Sequence, residues 1–223
     1  MKYPFDSIEE AIEEIRKGNL VIIMDSKERE YEGDFVGAAA KMTTAQINFM
    51  LSYARGAFIA VFMPPGWADQ LEIPRIAKEN TSFNQTKFLL SVDAKNNVSG
   101  SSAFDRAMTV NLLGDSNAKP SDFVRPGHVV PIEADPKGFS ARKGHTESGV
   151  ELMKLAGIEP PVAIDLEILD EDGTMAHEER LFALAKEFNL KIISVDDLVK
   201  YVIQRQREKE RPIPSQARSA QRL

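Results

Sequence analysis

The stretch SIEEAIEEIRKGNLVIIM, residues 7–24, decides the class of fold. Ile8, Ile12 and Ile15 recur at helical spacing, so residues 7–17 read as an amphipathic helix, with Ser7 as its cap and Glu10 three positions on completing a capping box. Gly18 stops that helix. LVIIM at 20–24 is an unbroken apolar run of strand length, the pattern of a strand buried on both faces. Working outward, the sequence predicts a helix over about 43–54, a strand at 58–63 ended by Pro64, Pro65 and Gly66, and a strand FLLSV at 88–92. A helix at 148–158 follows, then a strand at 162–169, a helix at 177–188, a strand at 191–195 and a helix at 196–207. Residues 79–86 and 95–102 are polar loops, and 114–127 reads as a long irregular connection. Helices and strands mixed in this way indicate one α/β or α+β domain. There is no internal repeat, and from Arg205 onward the chain reads as a charged, solvated tail.

The 223 residues are 43% apolar and include no cysteine, enough for one sizeable core without staples. Disulfides, cysteine-based metal sites and thiol nucleophiles are excluded together, so any metal must be held by His, Asp and Glu. A formal charge of −6 argues against a generic nucleic-acid surface, and an anionic ligand would need a local basic pocket. No run approaches the roughly 18 apolar residues of a membrane span, and the first residues are charged rather than signal-like. The expected location is therefore cytoplasmic, with neither membrane nor nucleic acid as partner.

Of the three histidines, His128 in RPGHVVP and His145 in RKGHTES both follow a glycine with an arginine shortly before it, whereas His177 in MAHEER has an ordinary surface context. Arg142, Lys143, Gly144, His145 and Thr146 together suit a phosphate: a guanidinium fork, a glycine that lets the backbone approach, and a hydroxyl at a helix start. The same five residues also suit a capped helix with a basic flank. The string DSKEREYEGD at 25–34 puts Glu30, Glu32 and Asp34 on one side if extended. Three such carboxylates are either solvated or gathered by a hard divalent cation, which prefers oxygen ligands and tolerates an imidazole. Glu167 and Asp165 interrupt the apolar strand VAIDLEIL on one face, a costly placement unless paired or used. Ser99–Ser102 followed by Asp105 and Arg106 reads as a cap pattern.

Taken in order, DSKEREYEGD, NTS with a Thr-x-Phe segment, SGSSAFDRAMT, KPSDFVRPGHVVP, RKGHTESGVELMKLAG and LEILDEDGTMA resemble the 3,4-dihydroxy-2-butanone 4-phosphate synthases of riboflavin biosynthesis over about residues 7–201. The resemblance implies a single-domain α+β fold, a mixed sheet packed by helices over residues 1–204 with 205–223 as a flexible tail. It also implies a homodimer with active sites near the subunit interface. The implied activity is that of a lyase converting D-ribulose 5-phosphate to L-3,4-dihydroxy-2-butanone 4-phosphate and formate with Mg²⁺ or Mn²⁺, two ions per site. On the family's pattern Arg29 and Glu30 bind substrate, Glu30 and His145 ligate metal, and Asp34 contacts substrate. Arg142, Lys143, Gly144, His145 and Thr146 embrace the phosphate, while His128 and Glu167, the latter also on the substrate, are the essential catalytic pair. Glu32 falls on the middle glutamate of the acidic string. The chain departs from the family at Tyr31, usually Asn, at Gln85, often Gly, and at Phe104, commonly small or His. Ala60 and Leu166 stand where cysteines are frequent. These departures bear on substrate identity, and leave as alternatives another ketose phosphate at the same site or a non-catalytic sugar-phosphate-binding homologue.

Overall fold

The computed structural model describes residues 4–56 and 58–210. In chain order the elements are α1 (Ile8–Lys17), β1 (Val21–Met24), β2 (Gly33–Ala38), α2 (Thr44–Ala54), β3 (Ile59–Met63), the short α3 (Trp67–Gln70), β4 (Lys87–Phe88), β5 (Val92–Ala94), α4 (Ala103–Leu113), β6 (Phe123–Glu133), α5 (His145–Ala156), β7 (Ala163–Glu167), α6 (Glu178–Phe188), β8 (Lys191–Ser194) and α7 (Val195–Glu210). The strands form one mixed sheet in the order β4-β6-β3-β7-β2-β1-β8, with β5 also paired to β6. This is the expected α+β domain with helices on a mixed sheet.

Alternation along the strands sorts the core into two layers. Ile22, Phe35, Val61 and Ile164 face the side covered by α2, α4 and α6. Val21, Ile23, Val36, Ala60, Phe62 and Ala163 face the side covered by α1, α5 and α7. The capping box of α1 is formed as read, Ser7 and Glu10 each accepting from the other's backbone N–H, and Gly18 closes the helix in the left-handed region at φ 85°. Ile8, Ile12 and Ile15 are buried, each contributing about 1.5–3 kcal/mol through its removal from water.

Four boundaries differ from the sequence reading. The strand expected at 88–92 is split between β4 and β5. Leu89 donates its N–H to the Pro131 carbonyl at 3.0 Å, but Pro131 has no N–H to return, so the ladder breaks and the chain rejoins β6 at Val92↔Val129. Residues 123–127, read as irregular, are the first half of β6, paired through Phe123↔Ala94 and Val124↔Asp93. Helix α5 begins at His145, three residues before the apolar period, because its first turn is polar yet buried. Helix α7 continues through Glu210, so the expected boundary at 204/205 falls inside a helix; the rest of the expected tail, 211–223, lies outside the described residues. No helix among the described residues is long and apolar enough to cross a membrane.

Strand β8 is an edge of the sheet. Asp6 seals it: the Asp6 N–H donates to the Ile192 carbonyl at 2.9 Å. The Asp6 carboxylate accepts from the Ile192 N–H and from Lys191 Nζ, both at 2.9 Å.

Candidate active site

The register of the central strands builds the site on the face covered by α5. Asp34 pairs with Glu167 across β2 and β7, and Asp165 lies opposite Val36 on one side and Ala60 on the other. Three carboxylates therefore project from neighbouring strands toward the N-terminus of α5, where His145 stands. A cavity of about 250 Å³ opens there, lined by Arg29, Glu30, Glu32, Asp34, Arg142, His145, Thr146, Asp165 and Glu167, with Ala60, Phe58 and Phe62 among its apolar walls. That is below the range typical of drug-sized ligands and suits a small metabolite.

The acidic string is organised by its first member. Asp25, at the end of β1, is 5% exposed. Its carboxylate accepts from Arg29 Nη1 at 2.8 Å, from the Glu30 N–H at 3.2 Å and from the Glu32 N–H at 2.9 Å. One buried carboxylate thus folds the turn that aims Glu30 and Glu32 inward, and Arg29 also pairs with Glu30 at 2.6 Å. At the turn's crest Tyr31 adopts φ 53°, a left-handed conformation in which asparagine is the favoured non-glycine residue. The tyrosine is held there from outside. Its ring stacks on His177 at 4.5 Å, Lys27 Nζ sits 4.9 Å from its centroid, and its carbonyl accepts from His177 Nδ1 at 2.8 Å. His177 therefore clamps the loop rather than serving the cavity.

His145 is fixed by its far nitrogen: Nε2–H donates to the Ile23 carbonyl at 3.2 Å, so Nδ1 turns its lone pair toward Asp34 Oδ2 at 3.4 Å and Glu32 Oε1 at 3.8 Å. Burial holds the imidazole neutral, lowering its pKa to about 4. Lone pairs facing lone pairs are unfavourable, and the carboxylates also crowd one another. Burial, with Glu30, Glu167 and Asp25 nearby, raises Glu32 to about 9. Burial likewise pushes up Asp34, beside Asp165 and Glu32, and Asp165, beside Glu167 and Glu30. Glu167 is raised by burial and by Glu30. Asp34 Oδ1 and Asp165 Oδ1 are buried without a hydrogen-bond partner. Two donor sets, Asp25/Glu30/His145 and Glu32/Asp34/His145, each bring one ligand atom per residue within 4.8 Å of the others. Hard carboxylate oxygens plus a neutral imidazole fit Mg²⁺ or Mn²⁺, and a divalent cation would relieve both the lone-pair conflict and the orphaned Asp34 oxygen.

Beside this cluster lies a basic cradle. Arg142 Nη1 reaches Thr146 Oγ1 at 3.1 Å and Glu147 at 3.3 Å, and Nη2 donates to Thr86 Oγ1 at 2.8 Å. Gly144 caps α5, and a Cβ there would meet Arg29 Nη2 at 2.9 Å and Arg142 Cζ at 3.3 Å, so glycine lets two guanidinium groups close on a helix N-terminus.

Of the residues singled out in the sequence, Arg29, Glu30, Asp34, Arg142, His145, Thr146 and Glu167 converge on this cavity. Three do not line it: Lys143 is exposed, Gly144 is buried behind the guanidinium groups, and His128 lies on β6. From the row Asp165–Ala60–Val130, His128 and Glu167 each lie two residues further in the same direction, two strands or roughly 10 Å apart. Tyr31, Gln85 and Phe104 are also absent from the lining; Gln85 has φ 52° in a loop and Phe104 is an exposed residue of α4. The sequence reading missed Asp25, and with it Asn84, whose amide bonds Glu30, and Thr86, which bonds Arg142. The only signals for these were the opening aspartate of the acidic string and the polar segment at 79–86.

The fold and cavity define a single-domain α+β protein carrying a carboxylate–imidazole cluster set against an anion cradle. Residues 9–201 match the sequence model of 3,4-dihydroxy-2-butanone 4-phosphate synthase, and the chain belongs to that family. It is 46% identical over 208 residues to the riboflavin biosynthesis protein RibBA of Aquifex aeolicus, covering 92% of this chain and 51% of that protein. To a 3,4-dihydroxy-2-butanone 4-phosphate synthase of Wolinella succinogenes it is 43% identical over 201 residues, covering 90% of this chain and 57% of the relative. The chain thus spans about half the length of these curated relatives. Among solved structures, a 3,4-dihydroxy-2-butanone 4-phosphate synthase in complex with two magnesium ions superposes with a TM-score of 0.85 at 34% identity, covering 91% of this chain and 99% of that one.

Proposed function

We propose that this chain converts D-ribulose 5-phosphate to L-3,4-dihydroxy-2-butanone 4-phosphate and formate in riboflavin biosynthesis, as a cytoplasmic homodimer using two Mg²⁺ or Mn²⁺ ions per site. The observation that carries the reading is the union, on one cavity, of the acid–imidazole cluster and the Arg142–Thr146 cradle. The magnesium ions of the structural neighbour support the cation. Ribulose 5-phosphate, C5H11O8P, has the same atoms as the four-carbon phosphate, C4H9O6P, plus formic acid, CH2O2, so the balance needs no external oxidant or reductant.

In this reading Glu30 and His145, with Asp25, Glu32 and Asp34 around them, hold the cation. A bound divalent ion would polarise the sugar carbonyl and its neighbouring hydroxyl. Arg142, Thr146 and the first N–H groups of α5 hold the phosphate, with Gly144 keeping the approach open. Arg29 and Asp34 orient the carbon chain. Glu167, its carboxyl raised by burial and by Glu30, gives and takes protons. In so small a cavity bound substrate displaces water, which would otherwise let enediol intermediates lose phosphate.

His128 is the second proton carrier, and its position supports the dimer. Its side chain is 45% exposed, in a region that also exposes Val98, Phe104 and Val124. An apolar patch around a half-exposed imidazole suits contact with a second copy, placing active sites near the interface. Another ketose phosphate gains no support from Tyr31, Gln85 or Phe104, since none lines the cavity. The test is incubation with ¹³C-labelled ribulose 5-phosphate and Mg²⁺, followed by NMR for formate and the four-carbon phosphate. Absence of formate at stoichiometric enzyme overturns the proposal.

A further inference from the structure

The segment SGSSAFDR and the glycine of RPGH have no part in the cavity, yet both converge on His128. Asp93, on β5 and only 6% exposed, accepts twice from this one residue. Its Oδ1 takes the His128 main-chain N–H at 3.0 Å, and its Oδ2 lies 2.7 Å from His128 Nδ1. Two glycines make the contact possible. A Cβ on Gly127 would overlap the backbone of Val92 and Asp93, and a Cβ on Gly100, which also has φ 83°, would overlap Asp93 Oδ2 and His128 Nδ1. The loop bearing Gly100 is itself tied down. Asp105, in the first turn of α4, accepts from the N–H groups of Val98, Ser99 and Gly100 at 3.2, 3.2 and 3.1 Å. Ser102 caps that helix through the Asp105 N–H at 3.0 Å.

We infer that Asp93 is the positioning residue for proton transfer by His128, fixing the tautomer that leaves Nε2 as the nitrogen offered to substrate. A carboxylate only accepts, so the nitrogen facing it carries the hydrogen, and a neutral imidazole has only one to place. Nε2 then bears the lone pair and points away from the dyad, where the side chain is exposed. The two-point hold fixes ring orientation as well as tautomer, with Gly127 and the Asp105-anchored Gly100 packed around the pair. This rests on the proposed role of His128 in moving protons.

The test uses the Mg²⁺-loaded 223-residue protein with ¹⁵N-labelled histidine; three histidines make the spectrum readable. In the wild type His128 Nδ1 should be protonated and Nε2 not. Asp93→Asn can donate to Nδ1, so the two signals should exchange character. With the wrong tautomer kcat should fall roughly 10²- to 10⁴-fold while KM for ribulose 5-phosphate holds. An unprotonated Nδ1 in the wild type overturns the inference without any variant. So does an Asp93→Asn enzyme with wild-type kcat when His128→Ala is inactive. Wild-type turnover by His128→Ala instead overturns the underlying role of His128.

Discussion

Stripping divalent cations should leave a protein that loses stability as pH rises from 7 to 9, and restoring Mg²⁺ should reverse that slope. Glu32 carries the magnitude. Its pKa is about 9 in the fold against 4.5 for the free side chain. A carboxyl raised in the folded state binds its proton more tightly there, so its contribution is whole below the unfolded value and is lost as pH climbs through the folded one. Between pH 7, where folded Glu32 is nearly all protonated, and pH 9, where half is, the loss is about 2 kcal/mol. For a chain of this size that lowers Tm by roughly 4–8 °C. Asp34 and Asp165, also raised, act with the same sign. His145 has the opposite one: held at about 4 against 6.5, it contributes above pH 6.5 and loses that contribution toward pH 4, outside the chosen window. A cation binds the deprotonated ligands, so its contribution grows with pH. Thermal melts in chelator at pH 7, 8 and 9, repeated in Mg²⁺, read both slopes, and Glu32→Gln should flatten the first. A flat or rising Tm in chelator, or an undiminished slope in Glu32→Gln, refutes the account of a strained carboxylate cluster.

Glu30→Gln should weaken Mg²⁺ binding by calorimetry and abolish turnover, since an amide oxygen lacks the charge that holds a hard cation; unchanged binding removes Glu30 as a ligand. Arg142→Ala should raise KM for the sugar phosphate by about 10- to 150-fold, the equivalent of one lost charged hydrogen bond, and an unaltered KM would take the phosphate away from this cradle. Tyr31→Asn should change stability by less than about 1 kcal/mol in denaturant titration, because relief of the left-handed backbone offsets the lost stack; a larger change would mean that one of the two effects is misjudged.

The parts of the fold visible in the sequence were those governed by local rules. The Ser7/Glu10 box, Gly18 and the LVIIM run each depend on neighbours within a few residues. The breaks did not show because their causes lie across the sheet. Pro131 divides a strand more than forty residues before it, and β5 makes a strand of residues 123–127 that have no period of their own. Helix α5 hid its first turn because His145, Thr146 and Glu147 are buried for their chemistry rather than their hydrophobicity. In the site, family motifs marked the cavity-facing groups, whereas Asp25, Asn84 and Thr86 act by holding those groups in place. His128, by contrast, lies outside the cavity lining, on β6 and held by Asp93.

The seal over β8 shows what Asp6 is for. Asp6 occupies both polar groups of Ile192, so the last strand of the sheet offers no vacant pairing site there. A chain clipped just beyond Asp6 would keep its cavity intact and still bare a strip of backbone able to recruit another polypeptide, turning a folded protein into a seed for self-association.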